Sequence, residues 1–168
     1  MRELIVRPHG ALGLYLPALA CVTAAHVLFM SLGVWLEETH GLSTVEIGTT
    51  SFVLGVADVL GELLVASCKS PRAVLALRHS ALVSSAVCFA ALAAVSTGPL
   101  WLGLVAFFLT VLSFEVSFVS SIAVTSLAWP SSEGRAESAL FLQVGLGTII
   151  GTSAGVELWE GLGMPALG

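Results

Sequence analysis

Apolar residues fall in five long blocks, approximately 13–36, 46–68, 74–96, 100–128 and 138–158, separated by short polar or Gly- and Pro-bearing breaks. Each block reaches the roughly 20 residues that a helix needs to cross hydrocarbon. Strands of a membrane barrel would instead alternate apolar and polar positions over about ten residues. Stretches such as "LVAFFLTVL" and "AVCFAALAAV" do not alternate. The pattern therefore predicts an all-α polytopic membrane protein, a single domain over 1–168 with five transmembrane helices. The first block continues from Leu12 to Leu36, past the roughly 7–15 apolar residues of a signal-peptide core, so it reads as a retained helix.

Composition agrees with the pattern. The chain is 57% hydrophobic and only 10% charged, whereas soluble domains carry about 25% charged residues. So few polar groups cannot cover a water-facing globule, and the expected solvent is lipid. Where the charges lie matters more than their net value of −5. Arg2 and Arg7 precede the first block, Lys69, Arg72 and Arg78 surround the second connection, and Arg135 lies in the fourth. The first connection, "EETHGLSTVE", has no Lys or Arg, and Glu37, Glu38, Glu157 and Glu160 gather at the other end. By the positive-inside rule the N-terminus is expected in the cytoplasm and the C-terminus outside, in a cell (inner or plasma) membrane. Gly98-Pro99 predicts a tight outer turn. In "WPSSEGRAE", Pro130 should end one helix and Ser131 or Ser132 cap the next, with a frayed tail after Gly161. Cys21, Cys68 and Cys88 lack metal-ligand spacing and read as buried structural thiols.

Polar residues inside the blocks carry the candidate chemistry. Gly48, Ser51, Gly55, Asp58 and Glu62 follow spacings of three and four and share one helix face, opposite Phe52, Val53, Val56, Val59 and Leu63. That stripe should turn toward protein or a watery cavity, with Gly48 and Gly55 admitting a close neighbour. Asp58 falls near the centre of its block, where an unpaired carboxylate costs about 2.5–3.5 kcal/mol on insertion scales. Glu115 lies near the centre of the fourth block, roughly opposite Ser117 of the Thr110, Ser113, Ser117, Ser120 stripe. A helix polar on two faces should be surrounded by other helices. His26 is near the middle of the first block. Asp58, Glu62, Glu115 and His26 are thus candidates for a proton or substrate pathway. The plainer alternative is interhelical hydrogen bonding, and Glu62 with Arg78, at similar depth, is a candidate structural ion pair. Gly147, Gly151 and Gly155, four residues apart, read as a helix-packing face. No nucleophile–base arrangement, metal cluster, cofactor motif or basic nucleic-acid surface is present in the sequence, so no enzyme is expected.

Two stretches carry a family resemblance. "GVWLEETHGLSTVEIGTTSFVLGVADVLGELLVA" and "LSFEVSFVSSIAVTSLAWPSSEGRAESALFLQVGLGTIIGTSAGVELWE" resemble helix pairs of the major facilitator superfamily. More closely, they resemble the C-terminal half of its drug-and-sugar efflux branch, from the seventh to the eleventh helix, over about 14–160. The resemblance implies proton-coupled secondary transport of a small organic solute at the interface of two six-helix halves. It also makes the loop bearing Lys69 and Arg72 a gating loop. There the chain departs from the family, since "ASCKSPRAV" has neither the acid nor the glycine of the usual D-R-x-G-R/K signature. Gly55, Asp58, Gly61 and Glu62 fit the family's G-x-A-E-x-x-G-E form.

Two functions are therefore expected to compete. One is a half-size or partial transporter that needs a second half or a homo-oligomer, with protons and a small organic solute as partners. The other is a non-transporting remnant or regulatory protein that packs against another membrane protein.

Overall fold

The computed structural model describes residues 8–128 and 133–162. Five helices follow one another: α1 (Pro8–His40), α2 (Thr44–Ala66), α3 (Pro71–Val95), α4 (Leu100–Ala128) and α5 (Glu133–Leu162). All five are long and apolar enough to cross a membrane, over Tyr15–His40, Thr44–Ala66, Pro71–Val95, Leu100–Leu127 and Glu137–Leu158. These bounds lie within a few residues of the apolar blocks, because length and hydropathy are what define a span.

The connections are closed by local chemistry. At the end of α1, Gly41 takes a positive φ of 67°, the left-handed conformation that glycine adopts without a Cβ clash. Its N–H donates to the Glu37 carbonyl at 2.9 Å, and the Leu42 N–H donates to the Leu36 carbonyl at 3.1 Å. This pair of bonds satisfies carbonyls that the helix end would leave bare. Glu46 then reaches back from the first turn of α2, accepting from the Ser43 N–H at 2.8 Å and its hydroxyl at 2.7 Å. Before α3, Ser70 accepts from the Ala73 N–H at 3.2 Å, and Pro71 occupies the first helical position, where no N–H is needed. The expected turn at Gly98 is present, its N–H donating to Val95 at 2.9 Å. Pro130, Ser131, Ser132 and the tail beyond residue 162 lie outside the described residues.

Helix α4 is the hub. It packs most extensively on α3, then on α2 and α1, while α5 packs almost wholly on α1. Its two polar faces fit this placement. Thr110, Ser117, Ser120, Ser121 and Thr125 are all buried, and their hydroxyls donate mainly to carbonyls one turn back, as Ser121 does to Ser117 at 2.7 Å. Without water, a hydroxyl in the hydrocarbon region has to find such a partner within protein.

The main core lies at the end of the bundle that holds the α1–α2 and α3–α4 connections. Trp35, 0% exposed, donates its indole N–H to the Ser96 carbonyl at 2.9 Å. Its ring stacks on Phe107, with centroids 6.4 Å apart. Gly103 makes room for that ring, since a Cβ there would sit 2.6 Å from Trp35 Cη2. One aromatic side chain thereby ties α1 to the end of α3 and the start of α4. Helices α2 and α5 lie at the periphery and keep large apolar side chains outward, Phe52, Val59 and Leu63 on one, Phe141, Leu142 and Ile149 on the other. Phe52, Val53, Val56, Val59 and Leu63, which the sequence pattern set opposite the polar stripe, are all exposed.

Candidate functional site: an acidic cluster beside the α2–α4 seam

Helix α2 buries Leu54, Ala57, Gly61 and Val65, spaced 3, 4 and 4 residues apart, so that one stripe faces α4. The polar stripe of Gly48, Ser51, Gly55, Asp58 and Glu62 is rotated from that seam by roughly 80°, at about 100° per residue. Gly48, Ser51 and Glu62 are exposed, and Gly55 and Asp58 are half-buried. This corrects the expectation that Gly48 and Gly55 admit a neighbour: a Cβ at either position would meet nothing within 4 Å. The close approach occurs at Gly61, where a Cβ would lie 2.9 Å from both Cβ and Cγ of Glu115 and 3.3 Å from the Val116 nitrogen.

That approach assembles the site. With no side chain at Gly61, α4 lies close enough to bring half-buried Glu115 within electrostatic range of Asp58 and Glu62. Asp58 and Glu62 also interact with each other, being one turn apart on one helix. Among the described residues no Lys or Arg pairs with any of the three. What such a cluster can do chemically is share and exchange protons, or hold a cation.

Arg78 is placed elsewhere. It is 3% exposed, its Nε donating to the Ser121 hydroxyl at 2.9 Å and its Nη2 to the Gly13 carbonyl at 3.4 Å. The expected Glu62–Arg78 pair does not form. Helices α2 and α3 scarcely touch, since each packs separately on α4. Arg78 instead joins α3 to α4 and α1. Lys69 and Arg72 are exposed in the short α2–α3 connection. The three cysteines are free and only partly buried, less enclosed than the sequence suggested. Between α1 and α3 an apolar recess of about 320 Å³ is lined by Pro17, Cys21, Ala24, Leu82 and Phe89, with Ser85 among its few polar groups.

His26 stands apart from the acids, in the seam between α1 and α5. Its Nδ1 lies 2.9 Å from the Val22 carbonyl, and its Nε2 lies 3.1 Å from the Thr148 hydroxyl. Gly147, Gly151 and Gly155 form the packing face expected of them. A Cβ at Gly147 would be 2.8 Å from Val22 Cγ1, at Gly151 it would strike the Thr23 carbonyl oxygen and His26 Cβ, and at Gly155 it would be 3.1 Å from the Val27 carbonyl oxygen. The four candidate pathway groups are therefore divided, three acids at the α2–α4 seam and the imidazole at the α1–α5 seam. Thr148 was missed by sequence reasoning. Its position beside Gly147 in the close-packed stripe was the available signal.

No family model, curated protein or solved structure matches the chain. What stands on sequence and structure together is an all-helical chain with five helices long and apolar enough to cross a membrane and an acidic cluster beside the seam of two of them.

Proposed function

We propose that this chain is a partial or half-size secondary transporter of the major facilitator type. In this reading it couples proton movement to efflux of a small organic solute across the cell (inner or plasma) membrane, and a second half or a second copy completes it. The observation that carries the reading is the grouping of Asp58, Glu62 and Glu115, without a cationic partner among the described residues, beside a polar stripe whose Gly48, Ser51 and Glu62 are exposed. Carboxylates in the hydrocarbon region are expensive and are kept where they do work. A proton shared by the three lowers their mutual repulsion. Access from one side and then the other would turn that proton exchange into coupling.

The charge distribution supports the orientation. Lys69 and Arg72 lie at the end of the bundle where α1 begins, while Glu37 and Glu38 lie where α1 ends and Glu157 and Glu160 where α5 ends. By the positive-inside rule this supports an N-terminus in the cytoplasm and a C-terminus outside. The resemblance in "GVADVLGELL" and in the α4–α5 stretch supports the family.

One observation favours a second reading, a non-transporting remnant or regulator that packs with another membrane protein. The Lys69–Arg72 connection is short, with neither acid nor glycine to pair with its basic residues. The test is a sealed-vesicle assay containing only this chain, with an imposed pH gradient and a lipophilic cationic dye as probe. Dye movement that follows the gradient supports a carrier that functions as an oligomer of itself. Absence of movement from folded protein, with movement restored by no added half, favours the regulator.

A further inference from the structure

His26 and Thr148 make three close polar contacts between them, one more than the hydrogens of a neutral ring and a hydroxyl can fill. Its Nδ1 lies 2.9 Å from the Val22 carbonyl oxygen, which can only accept, so Nδ1 carries a hydrogen. Its Nε2 lies 3.1 Å from the Thr148 hydroxyl oxygen, and that same oxygen lies 2.8 Å from the Val144 carbonyl oxygen. A threonine hydroxyl has one hydrogen. If the ring is neutral, that hydrogen goes either to Nε2 or to the Val144 carbonyl, and one of the three contacts has no hydrogen in it. If Nε2 is also protonated, every contact is filled: Nδ1–H to Val22, Nε2–H to Thr148, and the Thr148 O–H to Val144.

We propose that His26 and Thr148 form a proton-binding site in the α1–α5 seam, separate from the acidic cluster, in which the proton resides on Nε2 and the Thr148 hydroxyl turns to receive it. The exchange needs only rotation about one C–O bond. Both ring nitrogens stay where they are, held by the seam, since Gly151 lies against His26 Cβ and the Thr23 carbonyl. A charged imidazole is costly at this depth, and two acceptors already in place offset part of that cost.

The surroundings place no competing titratable group on the ring. On α1 its neighbour is Phe29, edge-on with centroids 6.3 Å apart. Helix α5 carries no titratable side chain between Glu137 and Glu157. In the facing stretch of α4 the titratable residue is Glu115, which lies against Gly61 of α2 and interacts with Asp58 and Glu62. From α3, which only grazes α1, Cys88 is near Ser113 of α4 instead.

The inference rests on the transporter reading only for the use made of the proton, and its test involves no flux. The full chain, carrying ¹⁵N-labelled histidine, is placed in lipid nanodiscs and titrated by NMR from about pH 9 to about pH 4. The His26 signals are assigned by their loss in His26→Gln. The expected result is a neutral ring with its hydrogen on Nδ1, followed by protonation of Nε2 on acidification. Thr148→Val should weaken proton binding about three- to tenfold, the worth of one hydrogen bond, and Thr148→Ser should restore it. A neutral form with its hydrogen on Nε2 would overturn the proposal. So would a ring that stays neutral throughout, or an unchanged titration in Thr148→Val. If Thr148→Val disturbs the seam, the wild-type tautomer and the Thr148→Ser titration still decide. Absence of dye flux with normal His26 titration would count against the transporter and leave this site standing.

Discussion

Two seams of this bundle are built from the same material and behave differently. Between α1 and α5, three glycines at four-residue intervals lie against backbone, and the stripe that looks like a packing face is one. On α2 the glycines Gly48 and Gly55 occupy a similar stripe and touch nothing, while contact with α4 runs through Leu54, Ala57, Gly61 and Val65. The difference lies in what shares the stripe. The α5 glycines have mostly small and apolar companions, and the Thr148 hydroxyl among them finds its partners within the seam, so close approach strands no polar group. The α2 glycines sit among Ser51, Asp58 and Glu62, and burying that face against α4, which carries Glu115 and no Lys or Arg, would strand two carboxylates without partners. Small residues in a membrane helix thus permit approach without requiring it. The polar residues beside them decide.

The contrast can be broken most severely at Gly151. Replacing it with Leu forces a branched side chain into the Thr23 carbonyl and should separate α5 from α1, with loss of the cooperative melt in detergent. Gly151→Ala should cost about 1–3 kcal/mol, as overpacking does. Next in size is Trp35→Phe, which leaves the Ser96 carbonyl without its donor. A loss of about 1–3 kcal/mol is expected from a buried group left unsatisfied, read as a lower melting temperature. Glu62→Gln should leave the fold within about 0.5 kcal/mol of wild type, because no Arg78 pair exists to be lost. Smallest in magnitude and opposite in sign is Gly55→Ala. With open space around it, alanine should be neutral or stabilise α2 by up to about 1 kcal/mol through helix propensity. Equal destabilisation by Gly55→Ala and Gly151→Ala would abolish the distinction between the seams.

Much of this was legible in the sequence, for reasons that also mark where legibility stopped. The five spans were readable because crossing hydrocarbon imposes a length. The central place of α4 was readable because Ser117 and Glu115 point opposite ways, which a lipid-facing helix does not tolerate. The seam of α2 was not, since exposed Val59 and buried Leu54 are equally apolar and hydropathy cannot tell them apart. The partner of Arg78 was hidden because consecutive helices need not touch. Helices α2 and α3 both lean on α4, and Ser121, 43 residues away, receives the guanidinium. Thr148 was hidden because one hydroxyl in a glycine stripe carries no periodic signal.

On the proposed reading, the polar stripe of α2 handles protons and is not a packing face. Asp58→Asn tests it when melting temperature and pH-gradient-driven dye flux are measured on the same vesicle preparation. An unchanged melting temperature with flux abolished is expected. A lowered melting temperature with flux retained in the protein that remains folded would contradict it, and would make Asp58 a packing residue.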